Sequence, residues 1–290
     1  MSAASSQFKS PASVPPAKVT VEGSAVVRLG VDQDKTVLKD LYQRDPVRIL
    51  FPDNPPGELI IGVLTTTSGG LVGGDKIRID IGVEQNSQSM IMAQAAEKIY
   101  RSTGRDCLID VFISAEDGAW FEWLPQETIL HQGARMRRTT NLKLAGTARV
   151  LAWEFLVFGR HAMGEKLTNG LVHDGWAVSM DGRPVWSDAF HIDGALSKVI
   201  DHPAGLGGAR AIASAVYAGP DAGDHLDLAR ELIKETENIR SAASLVNGIL
   251  LVRWIGMDVF SLRKSFADFW KAFRNRVGGQ PEQLPRLWDI

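Results

Sequence analysis

The carboxylates of this chain that could do chemistry lie among aromatic and aliphatic neighbours. In AWFEWLPQETILHQGA, residues 119–134, Glu122 sits between Phe121 and Trp123, and Glu127 follows Pro125 with His131 four residues on. In LAWEFLVFGRHAMGE, residues 151–165, Glu154 is embedded in an apolar run and Glu165 follows His161. A carboxylate taken out of water is costly unless it is paired, hydrogen-bonded or bound to a cation. Two accounts of Glu154 therefore stand side by side: an ion pair with Arg160 or Arg149, or a place on a route for a cation. A series of such oxygens along one passage can hand on a hard or borderline cation without holding it, which suits transfer. Spacing does not choose between these accounts.

A second stretch, TSGGLVGGDKIRIDIGV (67–83), puts Gly69, Gly70, Gly73 and Gly74 ahead of Asp75. No GK[ST] follows, so this is not a phosphate loop. Ile77, Ile79, Ile81 and Val83 alternate with polar residues or glycine, so the glycines open a strand over 76–83 and not a dinucleotide-binding helix. The expected feature is a sharp connection with at least one of the four glycines at positive φ. Asp75 would be held by it in a fixed position.

Other catalytic signatures are missing. The six histidines make no HExxH or HxH spacing, and no G-x-S-x-G elbow occurs. Ser68 has no recognisable base partner. The single cysteine, Cys107, rules out an internal disulfide and reads as a quiet buried residue.

The 290 residues are 44% hydrophobic and 23% charged, with a formal net charge of −2. That is an ordinary globular composition, with no basic surface for nucleic acid. No apolar run reaches the length of a membrane span, and the first nineteen residues read as a disordered polar tail without a signal-peptide core. The expected location is the cytoplasm.

From about residue 24 to 217 the chain reads as β. SAVVRLGV, ELIIGVL, KIRIDIGV, SQSMIMA, CLIDVFI, AWFEWLP, ARVLAWEFLVF and FHIDGAL are separated by turn material such as DNPPG, EDGA and MDGRP. Strands without alternating helices predict a mainly β fold: a sandwich, a barrel or a β-helix-like stack. Two helices are expected after it, at about 225–255, capped by Asp224 and ended or interrupted by Gly256, and at 261–277, stopped by Gly278 and Gly279. The apolar end of the tail should dock, and the helices should pack on the β body as part of one domain over 20–290.

Five segments then resemble one family in its own order: SGGLVGGD (68–75), AAEKIYRS (95–102), EWLPQETILHQGA (122–134), WEFLVFGRHAMGE (153–165) and LPRLW (284–288). They are similar to the UreD/UreH urease accessory proteins over roughly residues 20–290. The resemblance implies a non-enzymatic maturation factor with a β-helix-like, stacked-sheet body and two carboxyl-terminal helices. Its expected partners are UreF, the GTPase UreG and apo-urease. It implies no tightly bound cofactor, with nickel passing transiently to the urease active site. By motif position it offers Asp75, Glu127, Glu154 and Glu165 as conduit or interface carboxylates, with Tyr100 and Arg101 bracing a loop. A purely structural scaffold, or a metal-dependent hydrolase with a closed ligand shell, are the competing readings.

Overall fold

A computed structural model of the chain describes residues 20–53 and 58–288. The amino-terminal tail and residues 54–57 of the expected DNPPG turn lie outside the described residues. In chain order the strands begin with β1 (Glu22–Asp32), β2 (Lys35–Arg44), β3 (Val47–Leu50), β4 (Ile60–Thr66), β5 (Lys76–Val83) and β6 (Gln88–Ala93). Next come β7 (Glu97–Ile99), β8 (Cys107–Ala115), β9 (Trp120–Leu124), β10 (Thr128–Leu130), β11 (Arg135–Leu144) and β12 (Arg149–Phe158). The last strands are β13 (Gly170–Met180), β14 (Arg183–Gly194), β15 (Ala211–Ala218), β16 (Ile239–Val246) and β17 (Ile249–Gly256). The helices are α1 (Ser197–Ile200), α2 (Leu226–Leu232) and α3 (Val259–Gly278).

Two sheets result. One has the order β14-β13-β11-β8-β5-β1-β2, the other β16-β17-β15-β12-β9-β6-β4-β3. Between β4 and β13 the chain alternates sheets, placing β5, β8, β11 and β13 in the first and β6, β9 and β12 in the second. Each new strand lies parallel to its predecessor in the same sheet. This is a coil of stacked turns, a β-solenoid-like body. Antiparallel strands finish both sheets.

Strand parity decides which side chains enter the space between the sheets. On β5 these are Ile77, Ile79 and Ile81; on β11 they are Met136, Arg138, Thr140, Leu142 and Leu144. Almost every β12 side chain is buried because both of its faces are covered. Val150, Ala152, Leu156 and Phe158 join the inter-sheet core, while Leu151, Trp153, Phe155 and Val157 join a second core under α3. Glu154 has the parity of the inter-sheet side.

Helix α3 forms where it was expected. Leu262, Phe266, Phe269, Trp270 and Phe273 recur at helical spacing and are buried. Asp258 caps it by accepting the Ser261 N–H at 2.8 Å, and Gly279, at φ 63°, ends it. The Phe266 ring stacks on Trp153 with centroids 3.4 Å apart. The tail docks as well, burying Leu284 and Trp288.

The helix expected over 225–255 is mostly not there. Only α2 forms; β16 and β17 then make a hairpin with Val246 opposite Ile249. Asn247 and Gly248 have φ 49° and 80°, the two left-handed residues that a tight hairpin turn requires. Asp224 makes no capping hydrogen bond, and Gly256 ends a strand.

A buried ion pair joins α3 to the second sheet. Arg274 Nε donates to both oxygens of Glu122, at 3.0 and 2.9 Å, and the Trp120 and Trp270 indole N–H groups donate to the same carboxylate. Removing one member of such a pair strands the other in a dry site. Arg274→Met should therefore lower the unfolding free energy by about 3–5 kcal/mol, read by urea denaturation with tryptophan fluorescence. A loss below about 1 kcal/mol would show that the pair does not hold the helix.

Candidate functional site

The second sheet is interrupted in two adjacent strands. Residues 94–96 separate β6 from β7, and 125–127 separate β9 from β10. Pairing resumes beyond the breaks, where β10 lies between β7 and β12. Pro125 cannot donate to a ladder, which suits the interruption. Behind the breaks is a cavity of about 180 Å³, whose lining includes Ala96, Glu97, Gln126, Thr128, Arg138 and Glu154. Its rim reaches the exposed Gly69, Ala95 and Lys98. A second cavity, about 230 Å³, includes Glu154, Asp174, Ser214 and Trp254 in its lining and reaches the exposed Asp188–Arg253 ion pair. Glu154 lines both.

At their meeting point Arg138 from β11 reaches Glu154 from β12 and Asp174 from β13. Arg138 is 5% exposed, Glu154 3% and Asp174 7%. Nε and Nη2 of Arg138 donate to Oδ1 and Oδ2 of Asp174 at 2.8 and 2.9 Å, a bidentate pair. Nη1 donates to Thr128 Oγ1 at 2.9 Å and lies 2.6 Å from Glu154 Oε2. That last contact is an ion pair without hydrogen-bond geometry. Glu154 Oε1 accepts from Trp123 Nε1 at 3.3 Å and Thr140 Oγ1 at 3.2 Å. The expected arginine partner exists, but it is Arg138 and neither Arg149 nor Arg160.

Of the four candidate carboxylates, Glu154 is the one that lines these cavities. Asp75 is 2% exposed and accepts the Val21 and Val72 N–H groups at 3.0 and 2.9 Å, clasping the glycine turn. Glu127 pairs with Arg263 of α3, which also donates to Gln126 at 2.7 Å and to the Trp288 carbonyl. Glu165 accepts from Arg160 Nε at 2.7 Å, and Arg160 holds its carboxyl below the usual range.

In the glycine turn, Gly69, Gly70 and Gly74 have φ 72°, 138° and 104°. Gly73 has no positive φ; a Cβ there would meet Ser102 Oγ at 2.0 Å. Tyr100 braces the turn, its hydroxyl donating to the Gly69 carbonyl at 3.1 Å, and Arg101 forms a backbone bridge to Ala134. Cys107 is buried, and burial pushes its thiol up.

Arg138, Asp174 and Glu97 are absent from the sequence-based set. Glu97 lines the first cavity, where its Oε2 accepts from Thr66 Oγ1 at 2.7 Å; burial raises its pKa against the Thr66 and Lys98 hydrogen bonds. It lies in the AAEKIYRS segment already singled out. Arg138 and Asp174 carry a weaker signal: each occupies an inward position on a strand whose other inward residues are mostly apolar. No group of three or more His, Cys, Asp or Glu side chains that could hold a metal occurs among the described residues.

The parallel solenoid, with a helix-backed, interrupted sheet and a charged cluster between cavities, is a mainly β, stacked-sheet protein. A model of the UreD urease accessory protein family matches residues 21–289, and the chain belongs to that family. It is 44% identical over 257 residues to the UreD of Magnetococcus marinus, covering 87% of this chain and 89% of the relative. Against the UreD of Azorhizobium caulinodans the identity is 39%, covering 91% and 95%. Against that of Granulibacter bethesdensis it is 38%, covering 83% and 99%. The chain is thus an accessory protein of urease maturation.

Electrostatics at the cluster give a pH dependence. Burial pushes the Glu154 carboxyl up to about 7, with Arg138 opposing and Asp174 reinforcing the rise. A carboxyl whose folded pKa is raised favours folding below its ordinary 4.5, and that contribution is lost as pH climbs through 7. Glu154→Gln removes the titration. Its stability relative to the parent should rise between pH 4.5 and 7, read by thermal melts across that range. A stability difference independent of pH would contradict the assignment.

Proposed function

We propose that the chain is a non-enzymatic nickel-insertion scaffold, which binds apo-urease together with UreF and UreG and lets nickel pass through its interior. The observation that carries this reading is the pair of cavities meeting at one carboxylate, with rims on different surface segments. Nickel is cargo here, held by no resident cofactor site. A single carboxylate with hydroxyl neighbours offers a borderline cation oxygen contacts weak enough to leave. Glu97 would stand at the entry to the first cavity and Asp188 at the rim of the second. Asp75, Glu127 and Glu165 would act at one remove, keeping the glycine turn, α3 and the 160–165 loop in place for partner binding. The setting is the cytoplasm, where a GTPase partner finds its nucleotide.

Reconstituted activation of apo-urease with UreF, UreG, GTP, bicarbonate and nickel tests this. Activation should depend on the chain. Ala96→Trp, which fills the first cavity, should slow it while leaving the amount of assembled complex unchanged. Glu154→Gln should slow it at limiting nickel by about tenfold, a ligand-scale effect. Unchanged rates per assembled complex in both variants would remove the passage and leave a structural scaffold.

A further inference from the structure

A third cavity, of about 160 Å³, shares no lining residue with either of the first two. One wall is the segment that leaves β12, with His161, Lys166 and Thr168; the other is the 197–210 segment, with Ser197, Asp201 and Arg210. Most of these groups are donors. On the first segment Arg160 and Glu165 pair with each other, whereas Lys166 and Arg210 are exposed and make no ion pair among the described residues. Thr168 Oγ1 accepts from Gln132 and Asn169 at 2.7 and 3.2 Å, which leaves its own proton to donate. The Ser197 hydroxyl reaches the Thr168 carbonyl only at 3.5 Å. His161 Nε2 is buried without a hydrogen-bond partner. Among the described residues of the lining Asp201 is the one carboxylate, and it pairs with neither cation. A hollow with two unanswered cations, two hydroxyls and an imidazole nitrogen suits an anion with several acceptor oxygens.

We propose that this cavity binds a tetrahedral oxyanion of the phosphate type, which clamps the 158–168 segment to the 197–210 segment. Arg210 supplies a two-point grip, Lys166 a point charge, and Thr168 and Ser197 neutral donors. Because donors come from both walls, they surround a tetrahedral anion better than they match one planar carboxylate. His161 links binding to protons. Burial and the Arg210 charge hold its imidazole below the ordinary 6.5, with the Phe158 carbonyl opposing and Lys166 reinforcing. The Arg160–Glu165 pair lies on its own loop, and Asp201 lines the same cavity. A bound anion favours the imidazolium, whose Nε2–H then has an acceptor. Binding therefore takes up a proton and tightens as pH falls below 6.5. Asp201 acts against it by like charge, which keeps the anion exchangeable. Free phosphate and the phosphoryl end of a larger molecule share this chemistry.

The inference goes beyond the transfer reading and rests on no part of the passage. The full chain, carried on a solubilising fusion with the fusion partner alone as blank, is dialysed to equilibrium against radiolabelled sulfate. Sulfate is a tetrahedral probe whose own charge is constant near neutral pH. One sulfate should bind per chain, more tightly at lower pH. Arg210→Gln should weaken binding about tenfold, and Lys166→Gln should act in the same direction. Asp201→Asn should tighten it. His161→Phe should remove the pH dependence while leaving binding at neutral pH. Inorganic phosphate and adenosine monophosphate then serve as competitors. Displacement by phosphate alone assigns a free ion, and displacement by both assigns a phosphoryl group that a larger molecule can carry. Absence of saturable sulfate binding, or equal binding by the parent, Arg210→Gln and Asp201→Asn, would overturn the proposal. Should His161→Phe fail to fold, the variants of the exposed Lys166, Asp201 and Arg210 decide.

Discussion

A carboxylate between two sheets has to be answered by positive charge, and most of the unusual features of this molecule follow from where that charge comes from. Coulomb attraction in the interior is strong, but desolvation of both partners is of similar size, so only a well-formed set of contacts is tolerated. Here the answer to Glu154 is brought by the stacking of the coil. β11 and β13 lie side by side in the first sheet, with Arg138 directly opposite Asp174 in register, and both point at β12 across the core. Shifting any of these strands by one residue would turn its charge to the far face and strand the others. The polar cluster therefore specifies register as well as chemistry.

The second sheet can be broken at this spot because something else holds it. Glu122 in β9 and Glu127 within the break that follows it are each bound by an arginine of α3, Arg274 and Arg263 respectively. Arg263 also grips Gln126 inside the break and lies over the Trp288 ring at 4.4 Å. The helix, the docked tail and the gap are one construction. What looks like a motif of possible metal-binding acids, EWLPQE, is in large part the joint that keeps a cavity open behind Pro125.

Some of this was legible in the residues. Four glycines before a clean alternation gave the turn and β5, and three of the four adopt positive φ. The acid in LAWEFLVF was recognisable as needing a partner, since no apolar strand accommodates a lone carboxylate. Its partner was not legible, because the coil brings Arg138 from sixteen residues upstream by strand stacking, while Arg149 and Arg160 are closer only in sequence. After residue 233 the helix expected to about residue 255 gives way to the β16–β17 hairpin, although Ile239, Ala243, Val246 and Leu250 recur at helical spacing. The Asn247–Gly248 pair was the stronger local signal, since few sequences other than Asn-Gly satisfy two successive left-handed residues. Asp174 and Glu97 needed the three-dimensional cavities to stand out from other acids on β strands.

The central claim is that a nickel ion can occupy the interior beside Glu154. Crystals of the chain with its partners, soaked in nickel and measured at the nickel absorption edge, test it most directly. The account predicts an anomalous peak between the sheets, within metal–oxygen bonding distance of a Glu154 carboxylate oxygen. Anomalous peaks confined to the outer surface, with both cavities free of metal, would contradict it.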